Sequence, residues 1–285
     1  MGGITVDTIN PNVKAMEYAV RGAIVTRAGE LEAQLKKDPA SLPFEKIIMC
    51  NIGNPQSVGQ KPITFYRQVL ALTDYPQLMD APEASKLFPA DVMATAKHIL
   101  ENMKGGTGAY SESKGVAALR QMVANGIEAR DGGHKCDIDD LWLTDGASVA
   151  CHYIMKTLIR DNNDAVMVPI PQYPLYSASL ALYGGTLVPY YLDEDKKWGL
   201  DVADLKVQLD KARAAGKEVR ALCVINPGNP TGAALNVDNQ KEIVQFCKDE
   251  DVLLIADEVY QENIWRPDRP FVSFRKVREH LYTSS

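Results

Sequence analysis

Ala221-Leu222-Cys223-Val224-Ile225-Asn226-Pro227-Gly228-Asn229-Pro230-Thr231-Gly232 and Val252-Leu253-Leu254-Ile255-Ala256-Asp257-Glu258-Val259-Tyr260 are the two stretches that decide the fold. Each is an unbroken apolar run of strand length closed by a polar cluster. Continuous apolar runs of this kind read as strands buried on both faces, as in a parallel sheet covered by helices. Ligands of such sheets sit just beyond the carboxyl ends of the strands, so both clusters are expected to face one site.

Outward from this pair, strand and helix alternate. Helices are expected at 116–130, 148–160, 175–183, 202–215 and 237–249, and strands at 141–144, 165–169, 186–190, 219–225 and 252–256. The alternation predicts an α/β fold, a mainly parallel sheet with helices on both faces. Upstream, Val13, Met16, Val20, Ile24, Leu31 and Leu35 recur at helical spacing after Asn10-Pro11, which predicts one long amphipathic helix over 12–37. Residues 46–50 read as a short strand, and 64–75 and 90–103 as helices before the cluster Gly105-Gly106-Thr107-Gly108. Residues 1–60 are expected to form an N-terminal helix and part of a smaller domain, and 61–285 the large domain.

With 285 residues, 46% hydrophobic and 24% charged, the composition is that of a globular protein. A net charge of -6 without any Lys/Arg block gives no electrostatic reason to expect nucleic acid or a membrane surface. No apolar stretch approaches the ~20 residues of a transmembrane helix. The N-terminus lacks a signal peptide's basic flank and apolar core, and Val6 stands where myristoylation needs Ser or Thr. A cytoplasmic protein acting on small molecules is expected. Cys50, Cys136, Cys151, Cys223 and Cys247 follow no metal-like spacing and read as reduced structural thiols, and His98, His134, His152 and His280 form no paired spacing, so no metal site is expected. Gly105 to Gly108 lacks the dinucleotide spacing and a preceding strand, Lys114 is not in a phosphate-loop arrangement, and no Gly-x-Ser-x-Gly elbow exists.

Several residues at strand exits carry usable chemistry, each with a plainer reading beside it. Asp257 after a buried strand is an acceptor for a cation, and equally a helix cap or magnesium ligand. Asn226 to Gly232 is punctuated as a turn by its prolines and glycines. Gly146-Ala147-Ser148 precedes an expected helix, where free N–H groups and the helix dipole favour an anion; a Ser cap is the simpler alternative. Tyr173, in Pro171-Gln172-Tyr173-Pro174-Leu175-Tyr176, offers a ring for stacking or for core packing.

Together, Asn51-Ile52-Gly53-Asn54-Pro55-Gln56, Pro171 to Tyr176, Asn226 to Gly232 and Asp257-Glu258-Val259-Tyr260-Gln261-Glu262-Asn263-Ile264 resemble the alanine aminotransferase branch of the class I aminotransferases. The resemblance spans essentially the whole chain. It implies the pyridoxal 5'-phosphate (PLP) dependent transferase fold type I, a homodimer, and reversible amino transfer from L-alanine to 2-oxoglutarate. It also implies residue roles. Asp257 would pair with the pyridinium nitrogen, Asn229 and Tyr260 would donate to the phenolate oxygen, Ala147 and Ser148 would bind the phosphate, and Tyr173 would stack on the ring. Gly53 would approach the substrate carboxylate through its backbone. Tyr110, upstream of Gly115 and Leu119-Arg120, would reach the phosphate of the neighbouring subunit, or else anchor its loop. Glutamate:glyoxylate amino transfer, with a peroxisomal address, is the alternative activity, and a non-catalytic partner of a full-length subunit the alternative role. The family's imine-forming lysine, in a Ser-x-Ser-Lys-like segment beyond the Asp-x-x-Tyr motif, is not met before Ser285, and Lys276 reads as a solvated surface lysine. No catalytic residue is therefore assigned, and the chain alone is expected to hold PLP weakly and transaminate negligibly.

Overall fold

Asn10 starts the first helix in the expected place: its side-chain oxygen accepts from the Asn12 N–H at 2.9 Å, and Pro11 fills the first turn. The computed structural model describes residues 3–283, so the reading at Met1-Gly2 lies outside the described residues. Helix α1 spans only Pro11–Ala15; a 3-10 turn at Ala19–Arg21 follows, and α2 runs Ala23–Lys37. The single long helix over 12–37 is thus broken. Met16 leaves α1 in an extended conformation and Gly22 enters α2 extended. Between them Tyr18 donates its hydroxyl to Tyr173 at 2.6 Å, a tertiary bond that the helical spacing of apolar residues cannot register. Residues 46–50 form no strand: Ile48 is 73% exposed and Met49 56%, and a ladder needs a partner that no described segment supplies.

Four α-helices lie within residues 52–144 among the described residues. Helices α3 (Thr64–Asp74), α4 (Ala84–Leu87) and α5 (Ala90–Glu101) come first, and α3 and α5 enclose Val69, Leu72, Val92 and Ala96. In α6 (Ala117–Arg130) the buried Arg120 donates to the Gly115 and Ile138 carbonyls and to Glu112. The strand expected at 141–144 is absent. Leu143 N–H bonds to the Lys114 carbonyl, but no ladder follows among the described residues.

The remaining elements alternate as the sequence predicts. They are α7 (Ala147–Leu158), β1 (Asp164–Ile170), α8 (Leu175–Tyr183), β2 (Thr186–Tyr191), α9 (Val202–Ala214), β3 (Glu218–Ile225), α10 (Val237–Asp249), β4 (Leu253–Asp257) and α11 (Phe274–Thr283). The four strands pair in parallel in the order β2-β1-β3-β4. Ala165 and Met167 of β1 face a core shared with α9, α10 and α11, whereas Val166 and Val168 face one shared with α7 and α8. Helices on both faces follow directly from this alternation of side chains. Described residues up to Asn51 group with those from Asp145 onward as one compact unit, and Ile52–Thr144 forms the other. Within the first unit, the Tyr18–Tyr173 bond and an Asn51 side-chain bond to the Val20 carbonyl tie the N-terminal residues down.

All five cysteines are free, and Cys151, Cys223 and Cys247 are buried, as small hydrophobes would be. No helix among the described residues is long and apolar enough to cross a membrane.

At the start of β1, the buried Asp164 accepts from the Arg160 backbone N–H at 2.7 Å and from its guanidinium at 2.7 and 2.9 Å. Hydrogen bonding from Arg160 outweighs burial and holds the Asp164 carboxyl down, at about 2. Asp164→Ala is expected to cost about 2 kcal/mol near neutral pH, read as a lower urea midpoint. Since pairing lowers this carboxyl, its contribution is complete above the ordinary value of 3.8 and is lost as pH falls towards 2. The gap between parent and variant should close over that window, and a gap that stays constant would contradict the assignment.

Candidate cofactor site

Strands β3 and β4 run in register with Ile225 beside Asp257, and Asn226 N–H donates to the Asp257 carbonyl at 2.8 Å, one step past the end of β3. The buried Asn226 then accepts from Leu235 N–H at 2.9 Å through its side chain, which folds the 226–235 loop back on itself. Gly228 N–H to Ala233 and Gly232 N–H to Gly228 close the loop, both at 2.9 Å. Gly228 has no room for a side chain, since a Cβ would lie 2.5 Å from Thr231 Oγ1, and Gly232 takes a φ of 67°. The loop is therefore a turn, as its punctuation suggests, and the turn presents Asn229. The Asn229 side-chain N–H lies 3.5 Å from the Tyr260 hydroxyl, so two of the expected donors meet.

Asp257 is half-buried, with Oδ2 accepting from Tyr176 OH at 2.6 Å and Oδ1 from Val259 N–H at 3.2 Å. Tyr176 is fully buried on α8. Burial, with the neighbouring Cys223, Asp257 and Cys151, holds its hydroxyl far above the ordinary phenol range, so it remains a neutral donor. Cys151 Sγ lies 3.7 Å from the same hydroxyl, which links the second turn of α7 to the end of β4. Sequence reading quoted Tyr176 within its motif but gave it no role; the available signal was that a buried tyrosine needs a hydrogen-bond partner. Glu258 was missed as well: it accepts from Phe274 N–H at 2.7 Å at the start of α11.

Tyr173 takes the Tyr18 hydroxyl bond, with the rings edge to face at 6.1 Å. Burial first, and then the bond to Tyr173, push Tyr18 up to about 12. At the head of α7 the cap position is Gly146, at φ 88° and without a side-chain cap bond, so Ser148 is not the cap residue. Ala147 and Ser148 stand exposed in the first turn, where backbone N–H groups have no intrahelical acceptor. Gly53 and Tyr110 belong to the Ile52–Thr144 unit, where Tyr110 is fully exposed and a Cβ on Gly53 would meet nothing. Lys276 sits in the first turn of α11 with its backbone N–H on Ser273 Oγ at 3.0 Å. A cavity of about 1250 Å³ lies along β4 and is lined by Arg213, Lys248, Leu254, Phe274 and Arg278 among others, but by none of the expected site residues.

Residues 80–282 match the family model of aminotransferase class I and II. The chain is 56% identical to alanine aminotransferase 2 of Panicum miliaceum over 96% of its own length and 57% of that relative. It is 51% identical to glutamate–glyoxylate aminotransferase 1 of Arabidopsis thaliana, over 95% of its length and 54% of that protein. A solved aminotransferase from Escherichia coli shares the fold at a TM-score of 0.71 with 24% identity, covering 97% of this chain and 56% of that one. The chain thus spans about half the length of the relatives it matches. By the extent of the family match and the parallel sheet that carries it, the chain belongs to the class I and II aminotransferases.

Proposed function

We propose that this chain carries the PLP-binding floor of an alanine aminotransferase. The observation that supports it most is the state of Asp257. Its carboxylate is met by two neutral donors, Tyr176 OH and Val259 N–H, and by no cation among the described residues. A half-buried carboxylate so placed is completed by a cationic ligand atom, and a pyridinium N–H fits that demand. The neutral donors Asn229 and Tyr260, on the adjoining strand exits, suit a phenolate oxygen. First-turn N–H groups of Ala147 and Ser148 suit a phosphate, helped by the Ser148 hydroxyl and the positive end of the α7 dipole.

Bound PLP supplies an aldehyde carbon that takes up the amino group and a ring that withdraws electrons from the substrate's α-carbon. In this reading Asp257 keeps a proton on the ring nitrogen, and Tyr173 offers its ring face for stacking. Gly53 receives the substrate carboxylate through its backbone, and Tyr110 serves the phosphate of the neighbouring subunit in a homodimer. The substrates are L-alanine and 2-oxoglutarate, a choice supported by the 56% identity to a protein named alanine aminotransferase. The relative named glutamate–glyoxylate aminotransferase, at 51%, favours glyoxylate as the second reading.

Calorimetric titration of the chain with pyridoxamine 5'-phosphate tests the floor directly. Asp257→Ala is expected to weaken binding by about tenfold to a hundredfold, the range for losing a hydrogen bond to a charged group. An unchanged affinity would sink the cofactor reading. In the whole protein that contains this chain, pyruvate and glyoxylate offered together as acceptors decide the substrate. Pyruvate should be the better acceptor by kcat/KM, and a strong glyoxylate preference would replace the alanine assignment with the second reading.

A further inference from the structure

We infer that Tyr176 is a positioning residue for Asp257, fixing the carboxylate by a direct hydrogen bond so that the site selects a flat ligand with a protonated ring nitrogen. The inference rests on the cofactor reading above and goes beyond it in naming what holds the carboxylate for that ligand. The geometry is a fully buried hydroxyl donating at 2.6 Å to Oδ2, while Oδ1 is occupied at 3.2 Å by Val259 N–H. Both carboxylate oxygens are thereby oriented before any ligand arrives.

A carboxylate facing a pyridinium in a partly dry site has two ways to exist. Desolvation favours the neutral pair, with the proton on the carboxyl; hydrogen bonds to the carboxylate favour the ion pair, with the proton on nitrogen. Tyr176 adds the shorter of the two bonds that tip this balance. It can do so across the working pH range because burial keeps its own proton in place. The groups that face its hydroxyl are Asp257 from β4, Cys151 from α7 and Cys223 from β3, and both thiols are themselves held protonated by burial. Among the described residues no cation is paired with the carboxylate, and the thiols around the hydroxyl carry no charge to offset its effect.

This placement differs from simple packing in its consequence. A packing role would make every ligand of the floor bind less well when the hydroxyl is removed. A positioning role makes the loss depend on the ligand's ring nitrogen.

The test compares pyridoxamine 5'-phosphate with its 1-deaza analogue, in which a C–H replaces the ring nitrogen, by calorimetric titration of the parent chain and of variants. The parent is expected to prefer the nitrogen-containing ligand. Tyr176→Phe should reduce that preference by about tenfold, the effect of one hydrogen bond to a charged group, with the affinity for the deaza analogue little changed. Cys151→Ala, which opens space beside the hydroxyl but spares it, should keep the parent's preference. Equal weakening of both ligands in Tyr176→Phe, or an equal loss of preference in Cys151→Ala, would overturn the inference. Should Tyr176→Phe fail to fold, 3-fluorotyrosine, nearly isosteric and a stronger donor, is expected to raise the preference, and no change would overturn it. A parent that binds neither ligand, or that binds as well after Asp257→Ala, overturns the cofactor reading itself, whereas a preference that survives in Tyr176→Phe removes only the role of Tyr176.

Discussion

The pairing of β3 with β4 is the constraint on which the site depends. Because Ile225 sits beside Asp257 and Asn226 N–H closes on the Asp257 carbonyl, the two polar clusters leave the sheet at the same level. Side chains alternate along β4, and Ile255 faces the core shared with α7 and α8. Asp257, two residues on, points to the same face and meets Tyr176 of α8; Glu258 points to the other and accepts from the first turn of α11. One alternation thus gives adjacent carboxylates separate tasks, one at the candidate site and one at a helix end. A slip of one residue in this register would exchange the two, leaving Glu258 against the α8 tyrosine and Asp257 against α11.

Most of the sheet half was legible because its strands are buried on both faces, so their apolar runs are unbroken and their boundaries coincide with turn residues. Two of the readings that failed share a cause. Residues 46–50 and 141–144 have strand-like composition but join no strand ladder among the described residues, and pairing is a property of the neighbour as much as of the segment. The 12–37 helix failed differently: its apolar spacing is helical throughout, yet Tyr18 is drawn out of that regularity by a hydroxyl bond to a residue far along the chain.

At the candidate site, the residues proposed from the strand exits are marked in the sequence by turn chemistry and strand ends. Asn229 and Tyr260 do come within reach of each other. What supports them was not legible. Tyr176 and Cys151 lie within apolar helix segments, where their polar atoms look incidental until the fold sets the Tyr176 hydroxyl on Asp257 and the Cys151 sulfur beside that hydroxyl. The role of Tyr176 follows from the packing of α8 against β4, which no local pattern encodes.

The two buried-side aspartates show how the same residue type is assigned to structure or to binding. Asp164 is enclosed by Arg160, which supplies both its counter-charge and its hydrogen bonds, so nothing remains for a ligand to complete. Asp257 is equally fixed in direction, but only by neutral donors, and no ion pair is made to it among the described residues. Orientation by neutral donors alone leaves a carboxyl group at a strand end with its geometry already set. The unmet requirement is a cationic hydrogen-bond donor, and it arises from what the fold withholds from Asp257 as much as from what it provides.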